Sequence, residues 1–452
     1  MTERLPVVLL HGYSNRQQSF RPWREALIAN GYDPTTIRLG DYVSLSNEIT
    51  IKDIAEGLDR ALREEAGLST DEPFDAIVHS TGGLVIREWL ATYQRRRRLK
   101  RLIALAPASF GSPLAHRGQS WLAAAFRGER QLGPDFLETG HQVLLGLELA
   151  SRYTWELAHR DLLRDVAIYD SSPDSPFPFV FIGLSDYGRL KRLLIGDPGS
   201  DGTVRWAGAA MNTRKISVDL TREPGAKEGG RFEICDWHNI DAPLVLLPEL
   251  NHGTIVSEPS DELVAMVLEA LAVTDMPGYE AWGERHSSLT RDGLARVEQD
   301  RWQQFVVRVI DERGDPVPDY YVELADEDAI LEDFASDVHA FTADPSLRSF
   351  HVNLSKLAPE RRASLHLRLG ARSGTELIAY HGAGSEVFTR AGTPADDAPA
   401  SGWDARFDLT PLLRDNEVKF FFPYTTTLVE ITINREPLPA AGVSELLRFV
   451  RD

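Results

Sequence analysis

The sequence predicts an α/β fold with a mostly parallel sheet, joined to an all-β region of sandwich type. Three observations carry this. Over about the first 275 residues, short apolar runs alternate with segments whose apolar residues recur at helical spacing, the pattern of strands joined by crossover helices. The run 5–10 is continuously apolar, as a strand covered on both faces is, and 179–184 and most of 74–79 are apolar too. Beyond about residue 300 the helical period fades, and short β-type runs separated by turn residues take over.

These boundaries divide the 452 residues into a first domain over 1–275, a linker over 276–300 and a second domain over 301–452. A hydrophobic content of 42% with 26% charged residues is that of a globular protein. A net charge of −19 argues against a nucleic-acid partner. The single cysteine, Cys235, rules out a disulfide within the chain and is compatible with a reducing compartment. No stretch reaches the roughly 18–20 apolar residues of a membrane span. The apolar run near the N-terminus is too short for a signal h-region and belongs to the fold. The expected location is therefore the cytoplasm, or the exterior by a route that needs no Sec signal.

Taken in order, the first strand covers 5–10. A helix over 20–30 follows, with Gly31 as its stop, and then a strand at 35–39. Ile51, Ile54, Ala55, Leu58, Ala61 and Leu62 fall on one helical face, so 51–66 packs on the sheet and Gly67 closes it. The strand 74–79 leads through a glycine-rich turn into a helix. A basic run over 95–101 precedes the strand 102–106; it reads first as a solvated loop and second as a contact for lipid phosphates. The next strand, 179–184, comes about 70 residues later. The insertion between them, about 110–178, is helical and apolar, with helices at 121–126 and 143–158. The second is apolar more than halfway round, so it is buried or faces an apolar ligand. A lid and a structural cap fit it equally well. Alternating residues around Pro224 and Gly225 indicate a hairpin, a last strand covers 243–247, and a helix over 261–273 starts at the N-cap Ser260. A linker helix is expected over 279–298. Strands are then expected at 305–310, 320–324, 350–354, 364–369, 376–381, 418–422 and 427–433, which suggests a sandwich. The acidic residues Asp326, Glu327, Asp328, Glu332 and Asp333 read as a solvated loop before a calcium site.

Chemistry concentrates at 74–90, FDAIVHSTGGLVIREWL. A serine at the tip of a strand–turn–helix presents its hydroxyl at the sheet edge, with the N–H groups of the helix start beside it. The segment resembles the nucleophile elbow of the α/β-hydrolases, and His79-Ser80-Thr81-Gly82-Gly83 is most similar to the lipase, phospholipase and lipid-acyltransferase branches. It departs from G-x-S-x-G in having Val78 two residues before the serine. The resemblance implies further roles. Ser80 is the nucleophile. Asp201, in Ser200-Asp201-Gly202-Thr203-Val204, is the acid, with Asp186 and Asp197 as rivals on the same loop. His252, on the loop after the last strand of the first domain, is the base, with His238 as the runner-up. In His11-Gly12-Tyr13, the Tyr13 N–H is the first oxyanion donor and the Thr81 N–H the second. The implied activity is cleavage of carboxylic esters of lipids through an acyl-enzyme, with no metal or organic cofactor and with a lipid or other acyl ester as partner. Peripheral membrane contact goes with that reading. The same residues suit an acyltransferase or a thioesterase, and a non-catalytic lipid- or protein-binding scaffold is the remaining alternative.

Overall fold

The computed structural model describes residues 4–11, 20–37, 48–93, 97–115, 141–163, 168–185, 197–223, 230–236, 240–296, 301–325, 330–331, 335–357, 365–375, 377–383, 402–408 and 420–437. The chain divides into two compact units. The first holds 1–214, 236–302 and 424–426; the second holds 215–235, 303–423 and 427–452.

The first unit opens with β1 (Val7–Leu10), α1 (Arg21–Ala29), β2 (Pro34–Ile37), α2 (Ile51–Glu64), β3 (Phe74–His79), α3 (Thr81–Tyr93) and β4 (Leu99–Leu105). The insertion follows, with α4 (His141–Leu147) and α5 (Arg152–Asp161). After it come β5 (Phe177–Gly183) and the short α6 (Trp206–Ala209). A hairpin of β6 (Thr213–Asp219) and β7 (Phe232–Cys235) follows, most of it counted with the second unit. The first unit closes with β8 (Leu244–Leu247), α7 (Thr254–Ser257), α8 (Asp261–Leu271) and α9 (Met276–Arg296). Its sheet has the order β2-β1-β3-β4-β5-β8, and every pairing is parallel. β1 and β3 are buried at every position, because a parallel sheet carries helices on both faces. One helix group joins α1 to α8 and α8 to α9; another joins α2 to α3 and α3 to α5.

Local chemistry sets the helix ends. Thr50 and Asp53 form a reciprocal capping box at the start of α2. Ser260 caps α8 by accepting from Leu263 N, as expected. Gly31 and Gly67 stop their helices with φ of 76° and 64°. The expected single helix over 143–158 is in fact two. Ala150 turns left-handed with φ 56°, and Ser151 restarts the chain as an N-cap, its Oγ accepting from Thr154 N. An N-capping serine inside an apolar periodic segment is the local signal for that break. The expected helix over 121–126 lies outside the described residues.

The insertion over 141–163 is fastened to α3. Arg87 donates from Nε and Nη2 to both carboxylate oxygens of Asp161, at 2.7 and 2.9 Å, and from Nη1 to Ser109 O at 2.9 Å. One residue along on each helix, Arg160 forks onto Glu88 at 3.0 and 2.6 Å. Both pairs hold α5 against α3, as the structural-cap reading expects. Those of the basic run that are described also bind the protein itself. Arg97 pairs with Asp174, Arg98 donates to Glu72 O, Lys100 donates to Pro173 O and Arg101 pairs with Asp75. Burial pushes the Asp75 carboxyl up to about 6 even though Arg101 pulls it down. Arg95 lies outside the described residues. No helix among the described residues is long and apolar enough to cross a membrane.

The second unit contains β9 (Trp302–Asp311), β10 (Asp319–Ala325), β11 (Ala335–Ala340), β12 (Leu347–Asn353), β13 (His366–Arg372), β14 (Ile378–His381), β15 (Gly402–Asp408) and β16 (Thr426–Pro437). Strands β10-β13-β15 make an antiparallel sheet. A larger sheet runs β11-β12-β9-β16-β6-β7, with β14 on β16. One core takes side chains from both: Val218, Val309 and Ile431 from the larger sheet, Tyr320 and Leu369 from the smaller. That shared core makes the unit a sandwich. Strands β11 and β15 were not expected. In β11, ASDVHA, no position is fully buried, so no apolar face marks it in the sequence. Residues 420–422, expected as part of a strand, are coil. The acidic cluster around 326–333 lies outside the described residues.

Candidate active site

β3 ends at His79 and α3 begins at Thr81, so Ser80 stands alone at the turn, with φ 55°. A left-handed φ is uncommon for a residue with a Cβ, and here the backbone holds it from both sides. Ser80 N donates to Leu105 O at 3.2 Å, and the Ser80 carbonyl accepts from Gly83 N at 3.0 Å and Ala108 N at 3.2 Å. The two glycines after the serine are needed for close approach. A Cβ on Gly82 would stand 2.9 Å from the Leu10 carbonyl oxygen, and one on Gly83 would stand 2.8 Å from the Pro107 Cβ. Val78, by contrast, sits within the sheet, opposite Leu10 and Ala104. A β-branched residue suits that position. Gly82→Val is accordingly expected to cost roughly 1–3 kcal/mol by overpacking against backbone, read as a lower denaturant midpoint with an unchanged slope.

Three side chains far apart in the chain meet at this turn. His252 stands between β8 and α7; its Nε2 is 3.1 Å from Ser80 Oγ and its Nδ1 is 2.9 Å from Asp201 Oδ2. A carboxylate only accepts, so Nδ1 carries the proton and Nε2 is left to accept from the serine hydroxyl. Asp201 is held in turn. Its Oδ1 accepts from Thr203 N at 2.9 Å and Val204 N at 2.8 Å, and its carbonyl accepts from His252 N at 3.1 Å. Ser112 Oγ donates to Thr203 O at 2.6 Å, tying this loop to the segment after β4. All three side chains of the relay are buried.

The expected residues fare differently. Ser80, Asp201 and His252 converge. Thr81 is the first residue of α3, where an N–H has no partner within the helix. Tyr13 lies outside the described residues, as do the rivals Asp186 and His238. The other rival, Asp197, is engaged elsewhere: Arg205 grips it from Nε at 2.8 Å and Nη2 at 3.2 Å.

Sequence reasoning assigned no role to His79. Its Nε2 donates to the His252 carbonyl at 2.9 Å, and the two rings lie 4.7 Å apart. The bond ties the residue before Ser80 to the loop that carries His252. The only signal for it was a histidine at the end of a mostly apolar strand, next to Ser80. Burial, and then the neighbouring His252 and His11, hold the His79 imidazole well below its ordinary value. It is neutral in the fold and takes a proton on unfolding below about pH 6.5. Its contribution is thus complete above that pH and is lost as pH falls toward the depressed folded value. His79→Phe is expected to lower kcat by up to about 10²-fold through misplacement of the base. His79→Gln keeps a donor, so it should retain most activity and lose that part of the acid sensitivity in pH-dependent melts.

No family model matches this sequence, and no curated protein matches it. Among solved structures, the chain is similar to phospholipase PlaB from Legionella pneumophila. The identity is 21% and the TM-score 0.74, over 98% of this chain and 97% of that one. The same phospholipase in complex with thio-NAD gives a TM-score of 0.73 with the same identity and coverage. Lipase BlEst2 of Bacillus licheniformis, in mature form, aligns over 59% of this chain and 93% of that one, at 17% identity and a TM-score of 0.38. The match to the phospholipase runs through both compact units. The chain has the α/β-hydrolase fold with a β-rich second part.

Proposed function

We propose that this chain is a serine hydrolase that cleaves carboxylic esters of lipids, an esterase of lipase or phospholipase A type. The observation that carries the reading is the continuous relay of Asp201 Oδ2, His252 and Ser80 Oγ at a left-handed turn. Its relevance to lipids rests on the shared fold with a phospholipase and on the apolar helices of the insertion.

In this mechanism Ser80 Oγ attacks the ester carbonyl while His252 Nε2 takes its proton. Asp201 keeps the imidazole in the required tautomer and stabilises its positive charge. The oxyanion that develops is met by the Thr81 N–H and by the Tyr13 N–H that the sequence resemblance supplies. His252 then passes the proton to the departing alcohol, which leaves an acyl-Ser80 intermediate. Water, deprotonated by the same imidazole, releases the fatty acid. Exclusion of bulk solvent from the buried relay strengthens each of these electrostatic contacts.

The test is a panel of phosphatidylcholine vesicles, triglyceride emulsion and short soluble esters, with products identified by mass spectrometry. Free fatty acid together with lysophospholipid is expected from the vesicles, and a fluorophosphonate should label the peptide carrying Ser80. Release of no fatty acid from any ester in the panel would overturn the reading.

A further inference from the structure

The second unit contains a cavity of about 330 Å³ between its two sheets. Of the residues that line it, Glu323 alone carries a charge, and the rest are apolar. The lining crosses the whole inner face of the larger sheet, from Ala335 on β11 to Phe232 on β7. A strand spacing of about 4.8 Å makes that path roughly 24 Å long measured along the sheet. Val322, Leu324 and Leu367 of the smaller sheet form the opposite wall. Native cores are packed to crystal density with few voids larger than a water molecule, so a solvent-reaching cleft of this size, lined almost wholly by apolar side chains, calls for an occupant. Phe232, Phe350, Leu367 and Phe420 pack against the core and are only partly buried, because they border this space.

We infer that the cavity is a binding site for one alkyl chain of a single-chain amphiphile, a fatty acid or a lysophospholipid. A cavity of about 150 Å³ with comparable lining stays dry and takes benzene, and ligand sites begin near 300 Å³. The volume here is in the ligand range, and its spread over six strands gives a long, narrow slot that suits an extended chain better than a compact ring system. Ile330, another lining residue, is among the most exposed large apolar side chains described, so the cleft reaches the surface beside it, where the polar end of an amphiphile can stay in water. This site is separate from Ser80, and the inference stands or falls independently of the esterase reading.

The experiment uses the full chain with two photoactivatable probes, palmitic acid and a lysophosphatidylcholine, each carrying a diazirine in mid-chain. After irradiation, labelled peptides are mapped by mass spectrometry. Labelling of peptides containing Val307, Val352 or Leu367 by either probe is expected, and the stronger probe identifies the source of the chain. Val307→Trp fills the slot from its floor and should abolish this labelling while leaving hydrolysis of a soluble ester unchanged. Ala335→Trp plugs it from an edge strand, where the fold tolerates bulk better, and serves if the first variant does not fold. Labelling confined to peptides of the first unit, no labelling at all, or labelling that persists in a folded tryptophan variant would each overturn the inference.

Discussion

Ser80→Ala is expected to lower kcat on any ester substrate by about 10⁶-fold, with the melting temperature nearly unchanged. The size of the effect follows from the relay. Without Oγ there is no nucleophile to attack, and His252 is left to activate a misplaced water. What survives is substrate binding and the backbone donors at the start of α3. The loss in His252→Ala should be about as large, and the double variant should be no worse than either, because the members of such a relay act as one unit. Asp201→Asn should cost about 10⁴-fold, through the wrong tautomer of His252, with little structural change. The amides of Thr203 and Val204 can still hold its remaining oxygen. Steady-state rates on a short soluble ester, with melting curves for each variant, decide the matter. A Ser80→Ala protein within tenfold of wild type would remove the hydrolase reading.

The second large effect concerns stability. Arg87 and Asp161 are fully buried and paired through two short hydrogen bonds. Burial alone disfavours the charge on Arg87, but Asp161 outweighs it, so the guanidinium titrates above its ordinary value. Removing one partner strands the other as an uncompensated buried charge. Asp161→Ala or Arg87→Met is therefore expected to cost about 3–5 kcal/mol. For a domain of this size that corresponds to a drop of roughly 6–20 °C in melting temperature. Arg87→Met combined with Asp161→Leu should recover most of the loss, since well-packed apolar replacements of a buried pair are often neutral. Thermal melts of the two single variants and the double variant measure the coupling. A strictly additive double variant would show that the pair does not act as a unit. Because the pair fastens α5 to α3, the single variants should also lose activity more steeply on warming than the double variant does.

Much of this molecule was legible before any coordinates. The parallel sheet announced itself through strands without alternation, because helices on both faces make most positions apolar. The elbow was legible from FDAIVHSTGG, since strand, turn and helix are each local events. The glycines after Ser80 have a reason that the structure makes explicit: the carbonyl of Leu10 and the ring of Pro107 leave no room for a Cβ. The break between α4 and α5 also had a local signal in Ser151, which the apolar period on either side concealed.

Other features had no local signature. On the loop that offered several candidates, Asp197 is drawn off by Arg205 and Asp201 faces His252. That choice depends on which neighbour folds against which carboxylate. The role of His79 depends on a carbonyl 173 positions away. In the second unit, β11 was invisible because an edge strand with half-exposed side chains has no apolar face to show. The hairpin of β6 and β7 reads locally as a hairpin and nothing more; its place in the larger sheet is made by β16, some two hundred residues later.

By itself, then, the sequence determined the order and type of most elements, the place of Ser80 at its turn, and the candidates for acid and base, because propensity, periodicity and turn chemistry act over a few neighbouring residues. Only the tertiary structure decided which aspartate pairs with His252, which histidine holds the His252 carbonyl, how the insertion is pinned, and that an apolar cleft lies between the sheets of the second unit. Each of these is a contact between residues distant along the chain, and the free energy of burying and pairing such groups is set by the fold as a whole.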